Sequence, residues 1–367
     1  MSAEKPIVDQ PGVGAAAPQA GGSVPAEDRY RRWSVDTPDG SLTVGEWVPV
    51  GEPDPELPAL VAIHGITANH RCWPYLAAAL PGTRLIAPDL RGRGGSHEVG
   101  PPFGMAAHAD DVSRVIEAAQ LESVTVLGQS MGGFVAVVTA DRHPDQVERL
   151  VLVDGGLPLG PPPEDLAHTM PRAEVEKVLT HITGPIRARL SMEFDDEESM
   201  LSFWQKHPAL QDAWDAVTVD FACYDVGDLE HLPLSSRVSI AAMEADSADL
   251  LTASTIGEAL QRLRHPASFV TVPRGLQNET PGMYPPAIVQ QWRDRFPDLV
   301  VHDADGRRLS PDGRDRKSGV TAAALGRDPD PARRLRPPKV PRAPIPATRF
   351  GHRTLSLAAT DVFHGAR

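Results

Sequence analysis

The chain has 367 residues, 41% of them hydrophobic, and a formal net charge of -13. Such a length fits one large domain with an insertion, or two domains, and no apolar run approaches the length of a membrane span. The acidic balance argues against nucleic acid and membrane as partners, and two cysteines, Cys72 and Cys223, give no disulfide framework and fit a reducing cytoplasm.

Residues 1–28 are rich in Ala, Gly, Pro and Gln and lack the basic start and apolar stretch of a signal peptide, so they read as a disordered leader. Tyr30–Asp36 and Leu42–Val48, joined through Thr-Pro-Asp-Gly, read as an antiparallel pair. The apolar run Ala59–Ile63 follows and ends in His64-Gly65-Ile66. Arg84–Ala87 is the next run, and Pro88-Asp89-Leu-Arg91-Gly-Arg93-Gly-Gly-Ser96 follows it. The acidic and basic residues of that segment read as braces between loops, because nothing in their spacing marks an acid–base pair. Ala106–Ala119 carries helical spacing.

Val124–Leu127 then runs into Gly128-Gln129-Ser130-Met131-Gly132-Gly133, and the helix-compatible segment Phe134–Arg142 comes next. Gly-x-Ser-x-Gly between a strand and a helix is the pattern of a nucleophile elbow. There a serine sits on a sharp turn, and glycines on both sides let strand and helix approach closely. This marks Ser130 as a candidate nucleophile. The backbone N–H groups of Met131, next in the chain, and of Ile66, after the His-Gly strand end, would then form an oxyanion hole.

After Leu150–Val153, residues 157–238 break the strand–helix rhythm. They are helix-rich and acidic, begin near Pro161-Pro-Pro and hold Trp204, Trp214 and Phe221. A crossover of this length reads as an inserted helical cap over the carboxyl ends of the strands, with an apolar pocket beneath it. Ser268–Val272 and Leu299–Val301 resume the strand pattern. The expected architecture is α/β: a mostly parallel sheet covered on both faces, with core segments 29–156 and 239–305.

From Gly306 to Arg367 the composition changes. Fourteen Lys/Arg stand against five Asp/Glu, giving this tail about +9 and the remainder about -22. Proline recurs throughout, so the tail reads as disordered.

Together, His64-Gly65, Pro-Asp-Leu-Arg-Gly-x-Gly-x-Ser and Gly-Gln-Ser-Met-Gly-Gly resemble the α/β-hydrolase superfamily, in its esterase and C–C hydrolase branch with a helical cap. The resemblance covers about Tyr30 to Asp305. It implies an eight-stranded sheet with the nucleophile after the fifth strand at Ser130, an acid after the seventh, and a histidine after the eighth. Glu279 is the carboxylate within reach of the seventh strand's end. Some relatives place the acid after the sixth strand, which would be Asp154. Near 306–312, where the family's histidine belongs, the chain has none. His302 lies on the strand itself, and His352 and His364 stand deep in the tail. A serine without a base is a poor nucleophile. The loss of periodicity after Asp305 is what an altered reading frame in GC-rich coding DNA produces, and the rival reading is a natural tail on a catalytically reduced protein.

The functional expectation is a serine hydrolase for an ester, thioester or activated C–C bond of a small apolar acyl substrate. It would need no cofactor and no metal, and would be a monomer or weak homo-oligomer. The alternative is a hydrolase-fold protein that binds a ligand without turnover.

Overall fold

In the computed structural model, the residues described are 26–51, 59–167, 183–210, 214–252, 254–275, 278–303, 307–308 and 316–317. The expectations for the leader and for most of the tail, His352 and His364 included, lie outside them.

Among the described residues, twelve strands run in chain order as β1 (Tyr30–Thr37), β2 (Gly40–Trp47), β3 (Leu60–Ile63), β4 (Leu85–Pro88), β5 (Val124–Gln129), β6 (Val147–Val153), β7 (Glu193–Phe194), β8 (Leu234–Ser235), β9 (Ala267–Thr271), β10 (Val300–Asp303), β11 (Arg307–Arg308) and β12 (Arg316–Lys317). The main sheet has the order β1-β2-β4-β3-β5-β6-β9-β10-β11-β12. Its first eight members in that order are the expected mostly parallel sheet. Pairing is antiparallel at β1–β2 and β2–β4 and parallel from β4 through β10. The two-residue strands β11 and β12 extend the sheet antiparallel beyond β10, so the tail adds short strands that its composition did not suggest.

The helices are α1 (Pro74–Ala79), α2 (Met105–Ala118), α3 (Met131–Arg142), α4 (Glu197–Gln205), α5 (Ala216–Val226), α6 (Ile240–Thr252), α7 (Ser254–Arg262) and α8 (Pro286–Arg295). The central strands are buried along their length because helices cover both faces, which is why they read as continuous apolar runs. Alternate residues serve opposite faces. Val126, Leu150, Leu152 and Phe269 join one hydrophobic cluster with α2, α3, α7 and α8. Leu127, Val151, Val153 and Val270 join the other, which also holds Trp73, Ala77, Met200, Trp204 and Phe221. No helix among the described residues is long and apolar enough to cross a membrane.

Helix α5 is fastened to the loops that leave β3 and β4. Asp196 and Asp215 cap α4 and α5 by accepting from first-turn N–H groups. From α5, the Phe221 carbonyl accepts from Asn69 Nδ2, Asp220 pairs with Arg71, and the Tyr224 hydroxyl donates to Asp89 Oδ2 at 2.8 Å. Asp89 is fully buried and also accepts from the His70 backbone N–H, from the His70 ring and from the Gly95 N–H. Burial opposes its ionisation, yet the His70 ring, its hydrogen bonds and His64 hold the carboxyl down at about 2. Asp89 thus braces two loops and helix α5, and Arg91 does likewise by forking onto Asp111 of α2. Tyr224→Phe should cost about 1–3 kcal/mol in urea denaturation, because it deprives a buried carboxylate of a donor. An unchanged midpoint would mean that the loops hold without α5.

Candidate active site

The β5–α3 junction is closely packed. Ser130 adopts φ 52° and ψ -123°, a region L-residues avoid, and it is 5% exposed. Its N–H is held by the Val153 carbonyl at 3.0 Å, and its own carbonyl receives the Gly133 N–H at 2.9 Å. Strand, turn and helix are so close that three glycines have no room for a side chain. A Cβ on Gly128 would lie 2.0 Å from the Gly132 oxygen, one on Gly132 2.2 Å from the Ile63 oxygen, and one on Gly155 2.1 Å from the Ser130 oxygen. These contacts bring together the elbow, the end of β3 and the turn after β6.

The loop after β3 is fixed by its histidine. His64 is fully buried, and burial pushes its pKa down to about 4, so the imidazole is neutral near pH 7. Its Nε2 accepts from the Leu90 N–H at 3.0 Å, which leaves Nδ1 to donate to the Gly65 carbonyl at 2.7 Å. Ile66 follows, buried, and Met131 is buried at the first position of α3. Neither N–H has an acceptor among the described residues. Ser130, Met131 and the start of the loop after β3 therefore lie close together.

The two acid candidates differ sharply. Glu279 is exposed, in the loop after β9, with its carboxylate folded against Gly275. Asp154 follows β6 directly, adopts φ 47° and is 2% exposed. Its N–H bonds the Val270 carbonyl, but Oδ1 is buried without a hydrogen-bond partner among the described residues. Desolvation raises its pKa to about 7. Its neighbour Gly155 packs against the Ser130 backbone.

His302 is buried on β10, in register with Val270 of β9. The Ser130 hydroxyl makes no hydrogen bond with a described residue. The family's position for a histidine, just past β10, falls in residues outside the description. Trp204 and Phe221, expected to line a pocket, are buried in the cluster that holds Trp73 and Leu127. A cavity of about 420 Å³ opens elsewhere, among Leu157, Leu260, Leu263, Phe296 and Leu299. Among the described residues no group of three or more His, Cys, Asp or Glu is placed to hold a metal ion.

A family profile described as the alpha/beta hydrolase fold matches residues 58–224. The chain has the α/β-hydrolase fold. Among solved structures it is similar to an E-2-(acetamidomethylene)succinate hydrolase, with TM-score 0.57, 21% identity, and coverage of 75% of this chain and 90% of that one. It is also similar to a thioesterase domain from the curacin biosynthetic pathway, with TM-score 0.55, 20% identity, and coverage of 75% and 92%. At these identities the likeness concerns the fold. Among curated proteins, an uncharacterised protein of Mycobacterium tuberculosis is 38% identical over 100 residues, 27% of this chain and 29% of that protein. Lipase LipV of the same species is 39% identical over 106 residues, 29% of this chain and 40% of LipV. The matched part thus spans well under half the length of these relatives.

Proposed function

We propose that the protein is a serine hydrolase that cleaves an ester, thioester or activated C–C bond of a small apolar acyl substrate through an acyl-enzyme. The observation that carries this reading is the strained, glycine-enclosed Ser130 at the head of α3. Strain of this kind persists only where the surroundings enforce it. In the proposed reaction Ser130 Oγ adds to the substrate carbonyl carbon. The Ile66 and Met131 N–H groups donate to the oxygen as it gains charge, and the leaving group departs with the proton that a base has taken from Oγ. Water then releases the acyl group by the reverse sequence.

For the acid that orients the base, burial and position favour Asp154 over Glu279. A buried carboxylate with a spare oxygen suits an imidazolium, whereas an exposed one is screened by water. The relatives named lipase and hydrolase agree with the reaction class. The inserted segment, seated on the loops that leave β3 and β4, is assigned the part of a cap over the site. Two free cysteines fit the cytoplasm. The lack of a described partner for the Ser130 hydroxyl favours a second reading, in which the same site binds a carbonyl compound without turnover.

A fluorophosphonate probe separates the two. Activated Ser130 should label within minutes and the Ser130→Ala variant should not. Absence of labelling in the folded protein would leave the binding reading standing and exclude the hydrolase.

A further inference from the structure

The residue holding the far side of the Ile66 loop is Arg93, and it belongs to a buried ion network unrelated to any catalytic motif. Arg93 is fully buried in the turn after β4. Its Nε donates to the Ile66 carbonyl at 2.9 Å, its Nη1 to the Arg91 carbonyl at 2.8 Å, and its Nη2 lies 2.6 Å from Asp246 Oδ2. Asp246 is equally buried on α6, the helix by which the chain re-enters the core after the insertion. It accepts from the Gly104 N–H at 2.7 Å and lies 2.9 Å from His108 Nε2 of α2. Burial opposes its ionisation, but the charges of His108 and Arg93 and the hydrogen bonds hold it well below the usual carboxylate range.

We propose that Arg93, clamped by Asp246, is a positioning residue for the oxyanion hole: it fixes the Ile66 carbonyl so that the Ile66 N–H stays aimed above Ser130. This rests on the nucleophile reading above. The argument is one of peptide geometry. The peptide between Gly65 and Ile66 is planar and trans, so its N–H points opposite its carbonyl. His64 Nδ1 holds that carbonyl. The next peptide plane is held by Arg93 through the Ile66 carbonyl. With both planes pinned, the rotations on either side of the Ile66 Cα are fixed, and the N–H direction is set before any substrate arrives. Such preorganisation is what gives an oxyanion donor its effect, since no reorientation is needed when charge develops. A guanidinium is required because one planar fork must reach two carbonyls and a carboxylate at once, which a lysine ammonium on a single stem cannot do.

The test uses the full chain with Arg93→Lys and Arg93→Met, labelled with ¹⁵N-isoleucine. In both variants the Ile66 amide resonance should shift and its hydrogen exchange should quicken at least about tenfold, while the Ile63 and Ile86 amides in β3 and β4 stay as they are. In hydrolysis of p-nitrophenyl butyrate, kcat should fall at least about tenfold with KM within about twofold, since a misaimed donor weakens the transition state and not substrate binding. Arg93→Lys keeps a cation beside Asp246, so its thermal midpoint should fall less than that of Arg93→Met. A loss of kcat that simply tracked stability would overturn the proposal. An unmoved Ile66 amide would overturn it whatever the turnover, as would a moved amide with undiminished Ser130-dependent kcat. Should the parent show no Ser130-dependent turnover, the nucleophile reading fails, while the amide measurement still decides what Arg93 holds.

Discussion

Asp154→Asn should make the protein more stable at pH 8 and nearly inactive. Burial raises the folded-state pKa of Asp154 to about 7, against roughly 4 in an unfolded chain. Between those values the folded protein keeps a proton that the unfolded chain has lost. Folding stability therefore falls as pH rises through this window, by about 1.4 kcal/mol per unit. The penalty is absent below about pH 4 and complete above about pH 7, where it reaches about 4 kcal/mol. Asparagine has no proton to lose, so the variant should match the parent in urea denaturation near pH 4 and exceed it increasingly toward pH 8. Equal midpoints at both pH values would show that Asp154 does not bear an uncompensated charge. The same substitution should lower Ser130-dependent ester turnover by roughly a thousandfold or more, because an amide cannot orient and stabilise an imidazolium. Glu279→Gln should stay within about twofold of the parent. If that order is reversed, Glu279 is the acid and Asp154 a strained turn residue. A buried carboxylate that destabilises the fold is intelligible only if something other than folding keeps it there.

Much of this architecture is written locally in the chain. The strands Leu60–Ile63, Leu85–Pro88 and Val124–Gln129 are buried on both faces, so each appears as an unbroken apolar run bounded by turn residues. The elbow is legible because backbone crowding demands glycine at Gly128 and Gly132, and a demand for glycine shows directly in sequence. The bracing role of Asp89 and Arg91 could be read only as a lack of acid–base spacing, and the structure supplies the partners, Tyr224 and Asp111. The choice between Asp154 and Glu279 was not legible. It depends on which carboxylate water reaches, and both follow strands. Nor could the Arg93–Asp246 pair be found, since the inserted segment separates its members in the chain and no periodicity links them. Helices α6, α7 and α8 complete the alternation of strands and helices, and their apolar positions join a cluster that only the assembled sheet defines.

Gly132→Ala should be strongly damaging. The added methyl would sit 2.2 Å from the Ile63 oxygen and 2.7 Å from the His64 oxygen. Both are backbone atoms, so no rotamer change relieves the overlap. Relief requires α3 to move away from β3, and that movement is opposed from two other sides. The Gly132 oxygen already lies where a Gly128 Cβ would be, and the Ser130 carbonyl rests on Gly155. Interiors packed at this density respond to overpacking by shifting backbone, at about 1–3 kcal/mol where side chains can adapt and more where they cannot. A loss above about 3 kcal/mol in urea denaturation is expected, together with loss of fluorophosphonate labelling even in whatever fraction remains folded. Gly184→Ala is the matched control, because a methyl there meets nothing within 4 Å. It should leave stability unchanged or raise it by a few tenths of a kcal/mol. A Gly132→Ala protein as stable as this control, and still labelled at Ser130, would mean that the strained serine is not enforced by close packing of helix on strand. In that case the elbow would be an accident of a glycine-rich turn, and the proposed nucleophile would lose its physical basis.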